Sequence, residues 1–170
     1  RTLDVLNRRK GHYIKSMEKN SRERPRPSRA RSYSRIEGIR KMLKKHNPTT
    51  VATPLSAYSH GVEVPANARW LCLSGQIAIS TDGSVPEGIE AQATLIFENI
   101  KNILASGNMA LEDLVRLNVY IVNADDMPGF RTVRDKYVGD VKCGSTMIII
   151  AGLAKPEFLI EIEAMAAKSD

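Results

Sequence analysis

Apolar and polar positions recur with two different periods along this chain. Between Ser145 and Met165 it reads S-T-M-I-I-I-A-G-L-A-K-P-E-F-L-I-E-I-E-A-M. Two runs rich in apolar and β-branched residues flank Ala154-Lys155-Pro156. That spacing predicts a hairpin, with Pro156 ending its first strand. In the second run Phe158, Ile160, Ile162 and Ala164 fall on one face, and Leu159, Glu161, Glu163 and Met165 on the other. The first face is core. The second carries two carboxylates about 7 Å apart, two residues at strand rise. Met147 to Ala151 is apolar on both faces, which predicts a strand covered on both sides.

Upstream, Asn47-Pro48 and Thr53-Pro54 mark an extended lead-in. Ser56–Val64 and Trp70–Ile79 read as strands joined by a turn at Pro65–Ala68. Ser84 and Glu87 have capping-box spacing, with Pro86 in the first turn of the helix they predict. Ile89, Ala93, Ile96, Ile100 and Ile103 form its apolar stripe, and Gly107-Asn108 ends it. From Asp113 to Val122 the alternation returns. Val115, Leu117, Val119 and Ile121 face one way, and Arg116, Asn118 and Tyr120 the other. Ala124-Asp125-Asp126 caps a second helix to about Val138, with a stripe of Met127, Phe130, Val133 and Tyr137.

The order β-β-α-β-α-β-β predicts an α+β domain, with two helices on one face of a mixed sheet of about five strands. The opposite face keeps apolar residues, so self-association is expected.

Charge separates this domain from the rest of the chain. Residues 1–41 hold 14 Lys/Arg against four Asp/Glu; residues 42–170 hold 11 against 15. The basic stretch R-E-R-P-R-P-S-R-A-R-S-Y-S-R has few apolar residues and is expected to stay disordered. Three readings stay open for it: a nucleic-acid-binding arm, a transit peptide, or an upstream-translated or artificial extension that is not native protein. Met17 and Met42 each offer a start, and the third reading is the leading expectation. The domain itself is acidic, so no nucleic-acid partner is expected unless the basic tail is native. No run of about 18 apolar residues predicts a membrane span. Cys72 and Cys143 are too few for a disulfide framework, and a reducing, cytoplasmic setting is expected.

Candidate chemistry is sparse. His60 is an acid/base by type, though a lone histidine is more often structural. No Cys/His cluster has metal-ligand spacing and no Gly-rich phosphate loop occurs, so no metal or other cofactor is expected. Glu161 and Glu163 read, from pattern alone, as a solvated strand face.

Four motifs stand in order over residues 43–167: A-Y-S-H-G-V at 57–62, L-S-G-Q-I at 73–77, an E-A-Q-A…N-I…I-L-A helix at 90–105, and I-E-I-E-A-M-A at the end. Together they resemble the Rid (YjgF) family. The resemblance implies a chorismate-mutase-like fold and a homotrimer. It also implies clefts between subunits that take reactive imines or enamines derived from amino acids, with hydrolytic deamination as the activity. Carried over residue by residue, it implies Glu161 as the water-positioning catalytic group. Tyr58, Ser74 and Gly75 would complete the pocket. The deaminating branch of the family carries an Arg at the start of the penultimate strand, where this chain has Ser145 within C-G-S-T.

A guanidinium grips a carboxylate through two charge-assisted bonds, and a serine hydroxyl supplies one neutral bond. Lys142 nearby is a point charge without the fork geometry. The expected ligand is therefore a small imine- or enamine-type metabolite other than the usual 2-imino acids. Ordinary 2-iminobutanoate/2-iminopropanoate deamination and non-catalytic metabolite binding remain the alternatives, with RNA association a third that depends on the basic tail.

Overall fold

The computed structural model describes residues 43–169. The basic stretch and its three readings lie outside the described residues. The elements in chain order are β1 (Lys44–His46), β2 (Gly61–Glu63), β3 (Arg69–Ile77), α1 (Ile89–Ser106), β4 (Leu114–Ile121), α2 (Met127–Val138), β5 (Gly144–Ile149) and β6 (Ile160–Lys168). β3, β6, β4 and β5 form one sheet in that order, and β1 pairs with β2 in a separate two-stranded ribbon. β3 and β4 run antiparallel to β6, whereas β4 and β5 are parallel. The α+β layer is as expected, with four strands in the sheet instead of about five. The first predicted strand, Ser56–Val64, shortens to Gly61–Glu63, because Pro54 and the turn bond from Tyr58 N to Ser56 O keep the chain irregular before it.

The hairpin expected around Ala154-Lys155-Pro156 does not form. β5 and β6 lie on opposite sides of β4 and share no ladder. A parallel β4–β5 pair needs a crossover, and α2 provides it. β6 then enters between β3 and β4, where its apolar face is deepest. Ile160, Ile162 and Ala166 are fully buried there, and Phe158 and Ala164 nearly so. Buried Gln92 of α1 holds the entry. Its amide donates to Pro86 O and Glu157 O and accepts from Leu159 N, at 3.1, 2.7 and 2.8 Å. The side chain thus satisfies backbone groups that the missing hairpin leaves unpaired.

α1 begins at Ile89, later than the Ser84–Glu87 spacing predicts. Asp82 accepts from both the amide and the hydroxyl of Ser84, an Asx turn that takes the proposed cap out of use. Gly88 then stands at φ +80, a conformation L side chains avoid, and the helix starts after it. Both helices cover one sheet face. Ile96, Phe97, Ile100 and Leu104 of α1 and Phe130 and Val133 of α2 meet Leu117, Val119, Ile121 and Ile162 in the core. Phe97 and Tyr137 stack at 5.1 Å and tie the two helices together.

The other sheet face is open in the single chain. Trp70 is 50% exposed there and Ile148 48%. β5 is an edge strand, so the two-sided cover expected for Met147–Ala151 is absent among the described residues.

Candidate functional site

The open face carries a band of polar side chains that runs diagonally from β5 to β3. The register explains why these residues meet. Glu161 of β6 lies opposite Tyr120 of β4 on one side and Ile77 of β3 on the other. Glu163 lies opposite Asn118, and Asn118 lies opposite Thr146 of β5. Laterally paired residues point to the same side of a sheet. Arg116, Asn118, Tyr120, Thr146, Glu161 and Glu163 therefore share the face away from the helices.

Their contacts form a chain. The Tyr120 hydroxyl and the Asn118 amide both donate to one Glu163 oxygen, at 3.0 and 3.1 Å. The Asn118 carbonyl accepts from Arg116 Nε at 2.8 Å, and a second Arg116 nitrogen donates to the Thr146 hydroxyl at 2.8 Å. The Glu163 bond, then burial, then the Glu163 and Glu161 charges hold the Tyr120 phenol above its ordinary pKa, so it stays a donor. Glu163, read from pattern as a solvated residue, is thus held through one carboxylate oxygen by two donors.

Glu161 is the contrasting case. It is half-buried, and its carboxylate has no hydrogen bond or ion pair among the described residues. β3 makes room for it. The ladder between β3 and β6 shifts register between Leu73 and Gln76, so a bulge falls at Ser74-Gly75. A Cβ added at Gly75 would overlap the Glu161 carboxylate outright and lie 2.7 Å from its Cδ and 3.1 Å from its Cγ. Only glycine leaves this space. The carboxylate is thus laid across the bulge with its lone pairs free.

The remaining sequence-predicted residues sit elsewhere. Tyr58 packs edge-on against His60 at 5.7 Å, in a segment whose Ser59 amide donates to Cys143 O beside β5. The His60 ring bonds Ala52 O at 2.7 Å, which supports its structural reading. Ser145 lies opposite Leu117, whose side chain is in the core, so by register it faces the helix side. The predicted residues therefore fall into two groups. Ser74 and Gly75 lie on the β3 edge strand with Glu161 beside them on β6; Tyr58 and Ser145 lie toward the β5 edge. Three strand spacings, about 14 Å, separate those edges. One copy of the chain does not bring the five residues together.

Two other features lie outside this band. A hollow of about 650 Å³ is lined by Lys45, Tyr137, Val141, Lys142 and Lys168, at the far end of β6. It holds none of Tyr58, Ser74, Gly75, Ser145 and Glu161. Beside it, burial lowers the Lys45 pKa and pushes the Cys143 thiol up to about 11, which keeps that thiol protonated and inert. Among the described residues, no group of three or more His, Cys, Asp or Glu side chains is placed to hold a metal ion. No described helix is long and apolar enough to cross a membrane.

Arg116, Asn118, Tyr120 and Thr146 are absent from the sequence-predicted site. The alternation of β4 did place the first three on one face. Their meeting with Glu163 depends on the antiparallel β4–β6 register, which no local pattern encodes.

Comparison with known proteins agrees with this architecture. The profile of the family described as Endoribonuclease L-PSP matches residues 49–168. Protein HMF1 of Saccharomyces cerevisiae is 31% identical over 116 residues, covering 68% of this chain and 87% of that protein. Protein MMF1, mitochondrial, of the same yeast is 30% identical, covering 62% of this chain and 72% of that protein. The Escherichia coli protein named putative reactive intermediate deaminase TdcF is 25% identical, over 68% of this chain and 89% of its own. Among solved structures, the Rid-family protein YyfB of Yersinia pestis superposes with a TM-score of 0.65 at 31% identity. That match covers 73% of this chain and 97% of the other.

Proposed function

Because the chain belongs to the Endoribonuclease L-PSP family, which is the Rid (YjgF) family of the motif resemblance, we propose that it assembles as a homotrimer and binds a small imine- or enamine-type metabolite in clefts between copies. The observation that carries this reading is the state of Glu161: a half-buried carboxylate laid over Gly75, with no hydrogen bond or ion pair among the described residues. A carboxylate in that state orients an attacking water as general base. Hydrolysis of an imine then adds water across C=N and releases ammonia or an amine.

The division of Tyr58 and Ser145 from Ser74, Gly75 and Glu161 supports a site completed by a second copy. So does the exposure of Trp70 and Ile148 on the open face. Ser74 and Tyr58 supply hydrogen bonds from their own copies, and Ser145 shapes the wall where it brings no guanidinium. TdcF carries the name putative reactive intermediate deaminase, and deamination of such intermediates is the chemistry proposed here. The acidic balance of residues 42–170 favours a small-molecule ligand over RNA. We place the protein in the cytosol on its two free thiols, while the mitochondrial relative MMF1 names the alternative compartment.

The test is turnover of a panel of imines, generated in situ by an amino acid oxidase, by wild type and Glu161→Gln. Light scattering at micromolar concentration runs alongside. The expected result is a trimer whose imine decay exceeds the blank and falls to it in Glu161→Gln. A monomer, or equal decay by both proteins, overturns the reading.

A further inference from the structure

The hollow at the far end of β6 belongs neither to the polar band nor to the proposed site. Lys45 of β1 lines it. Alternation along β1 turns Lys44 and His46 outward, where both meet Glu63, and turns Lys45 to the buried side. The Lys45 Nζ is withdrawn from solvent and has no hydrogen-bond partner among the described residues. Ser169, 7% exposed just past β6, lines the same hollow, and its hydroxyl is likewise buried and unpartnered. Buried polar groups are paired as a rule, so two unpaired ones on one cavity wall point to a ligand that completes them.

The walls favour one class of ligand. Leu43, Val141 and Ala167 make them partly apolar, and a volume of about 650 Å³ suits a small organic molecule. Three lysines, Lys45, Lys142 and Lys168, stand against three carboxylates, Glu112, Asp113 and Asp140. Two of these groups are already engaged: Asp113 accepts from Ala110 N, and Lys168 donates to Asn108 O. An anion gains little from walls of balanced charge, whereas an uncharged molecule with a carbonyl acceptor enters without the cost of burying a charge. Burial lowers the Lys45 pKa, against a smaller opposing pull from Cys143. The amine therefore gives up its proton more readily than an exposed lysine, and a neutral amine is a nucleophile.

We propose that Lys45 is a covalent binding residue for uncharged, apolar aldehydes, which it takes up in this hollow as a reversible Schiff base. Nζ attacks the carbonyl carbon, and a C–N bond forms. The carbonyl oxygen then leaves as water, carrying both amine protons, and C=N remains. Ser169 donates a hydrogen bond to that oxygen while it is still attached. The long, flexible stem of Lys45 has no bond at its tip, so Nζ swings from its closed position into the hollow. A neutral imine there avoids the desolvation cost of a buried ammonium. The inference is independent of the intersubunit reading, since none of that site's residues lines the hollow.

The experiment incubates the full chain with benzaldehyde and cyanoborohydride near neutral pH. Hydride reduces the imine to a stable secondary amine, and peptide mapping by mass spectrometry reads the label at each lysine. Reactants held side by side react orders of magnitude faster than free ones, so Lys45 should take at least roughly tenfold more label at early times than exposed Lys101 or Lys155. With 4-carboxybenzaldehyde the ratio of label at Lys45 to label at Lys101 should fall, because the wall carboxylates repel the probe. Val141→Trp, which fills the hollow, should remove the preference for Lys45, and Ser169→Ala should reduce it, with Lys101 and Lys155 labelled as before. Thermal unfolding checks that each variant folds. The wild-type comparison among lysines needs no variant and decides the inference by itself if a variant fails to fold. Label at Lys45 no faster than at Lys101, an equal ratio for the two aldehydes, or an unchanged preference in folded Val141→Trp would overturn the site. An unchanged preference in folded Ser169→Ala would overturn the role given to that hydroxyl.

Discussion

Gly75→Ala is the sharpest perturbation this structure offers. Gly75 is not among the glycines with positive φ, so alanine costs nothing in the backbone. The whole effect falls on Glu161. The new methyl would overlap the carboxylate and stand 2.7 Å from Cδ, against ordinary contact beginning near 3.4 Å. Glu161 must therefore withdraw by about 1 Å or more, through its flexible χ angles. Leaving a preferred rotamer costs on the order of 1 kcal/mol. The melting temperature should accordingly fall by no more than about 5 °C. Displacing a catalytic group by about 1 Å costs roughly a hundredfold in rate. Gly75→Ala should thus lose imine turnover nearly as completely as Glu161→Gln while unfolding close to wild type. Parallel turnover and scanning calorimetry measure both. Retention of more than about a third of the activity would show that Glu161 does not act from this position.

Other outcomes follow from the packing. Gln92→Leu should cost about 2–5 kcal/mol in urea unfolding, because Leu159 N, Glu157 O and Pro86 O lose their buried partner; a loss under about 1 kcal/mol would mean that water replaces it. Burial raises the Cys143 thiol to about 11, so the unfolded chain ionises near pH 9 while the folded chain does not. Stability should be unaffected below pH 9 and fall by roughly 2–3 kcal/mol as pH rises to about 11. Lys45, whose pKa burial lowers, acts in the opposite sense, so the Cys143 component is read as the difference from Cys143→Ala. Identical alkaline profiles would refute it. Cys72, exposed on the open face of the single chain, should react with a maleimide faster as dilution separates the copies, and concentration-independent labelling would count against the trimer.

Much of the domain was legible in the order of its residues. The period-two face of β6, the stripes of both helices and the α+β layer all follow from where apolar side chains recur. Periodicity reports which side of an element must leave water, and burial enforces that locally. Glu161 stood out through its motif, and Gly75 through the Ser-Gly pair beside it. Strand partnership was not legible. Two apolar runs across a short break look the same whether they pair with each other or straddle a third strand. The choice fell to α2, which carries β5 to the far side of β4, and to the buried Gln92, which satisfies the backbone where the hairpin would have done so. The start of α1 was misread because Asp82 competes for Ser84, a side-chain contest that spacing does not rank. The polar network of Arg116, Asn118, Tyr120, Thr146 and Glu163 is likewise a product of register. Each residue is an ordinary outward position on its own strand. Only the tertiary structure lays the three strands side by side, and hydrogen-bond geometry over about 3 Å then turns separate surface residues into one charged array.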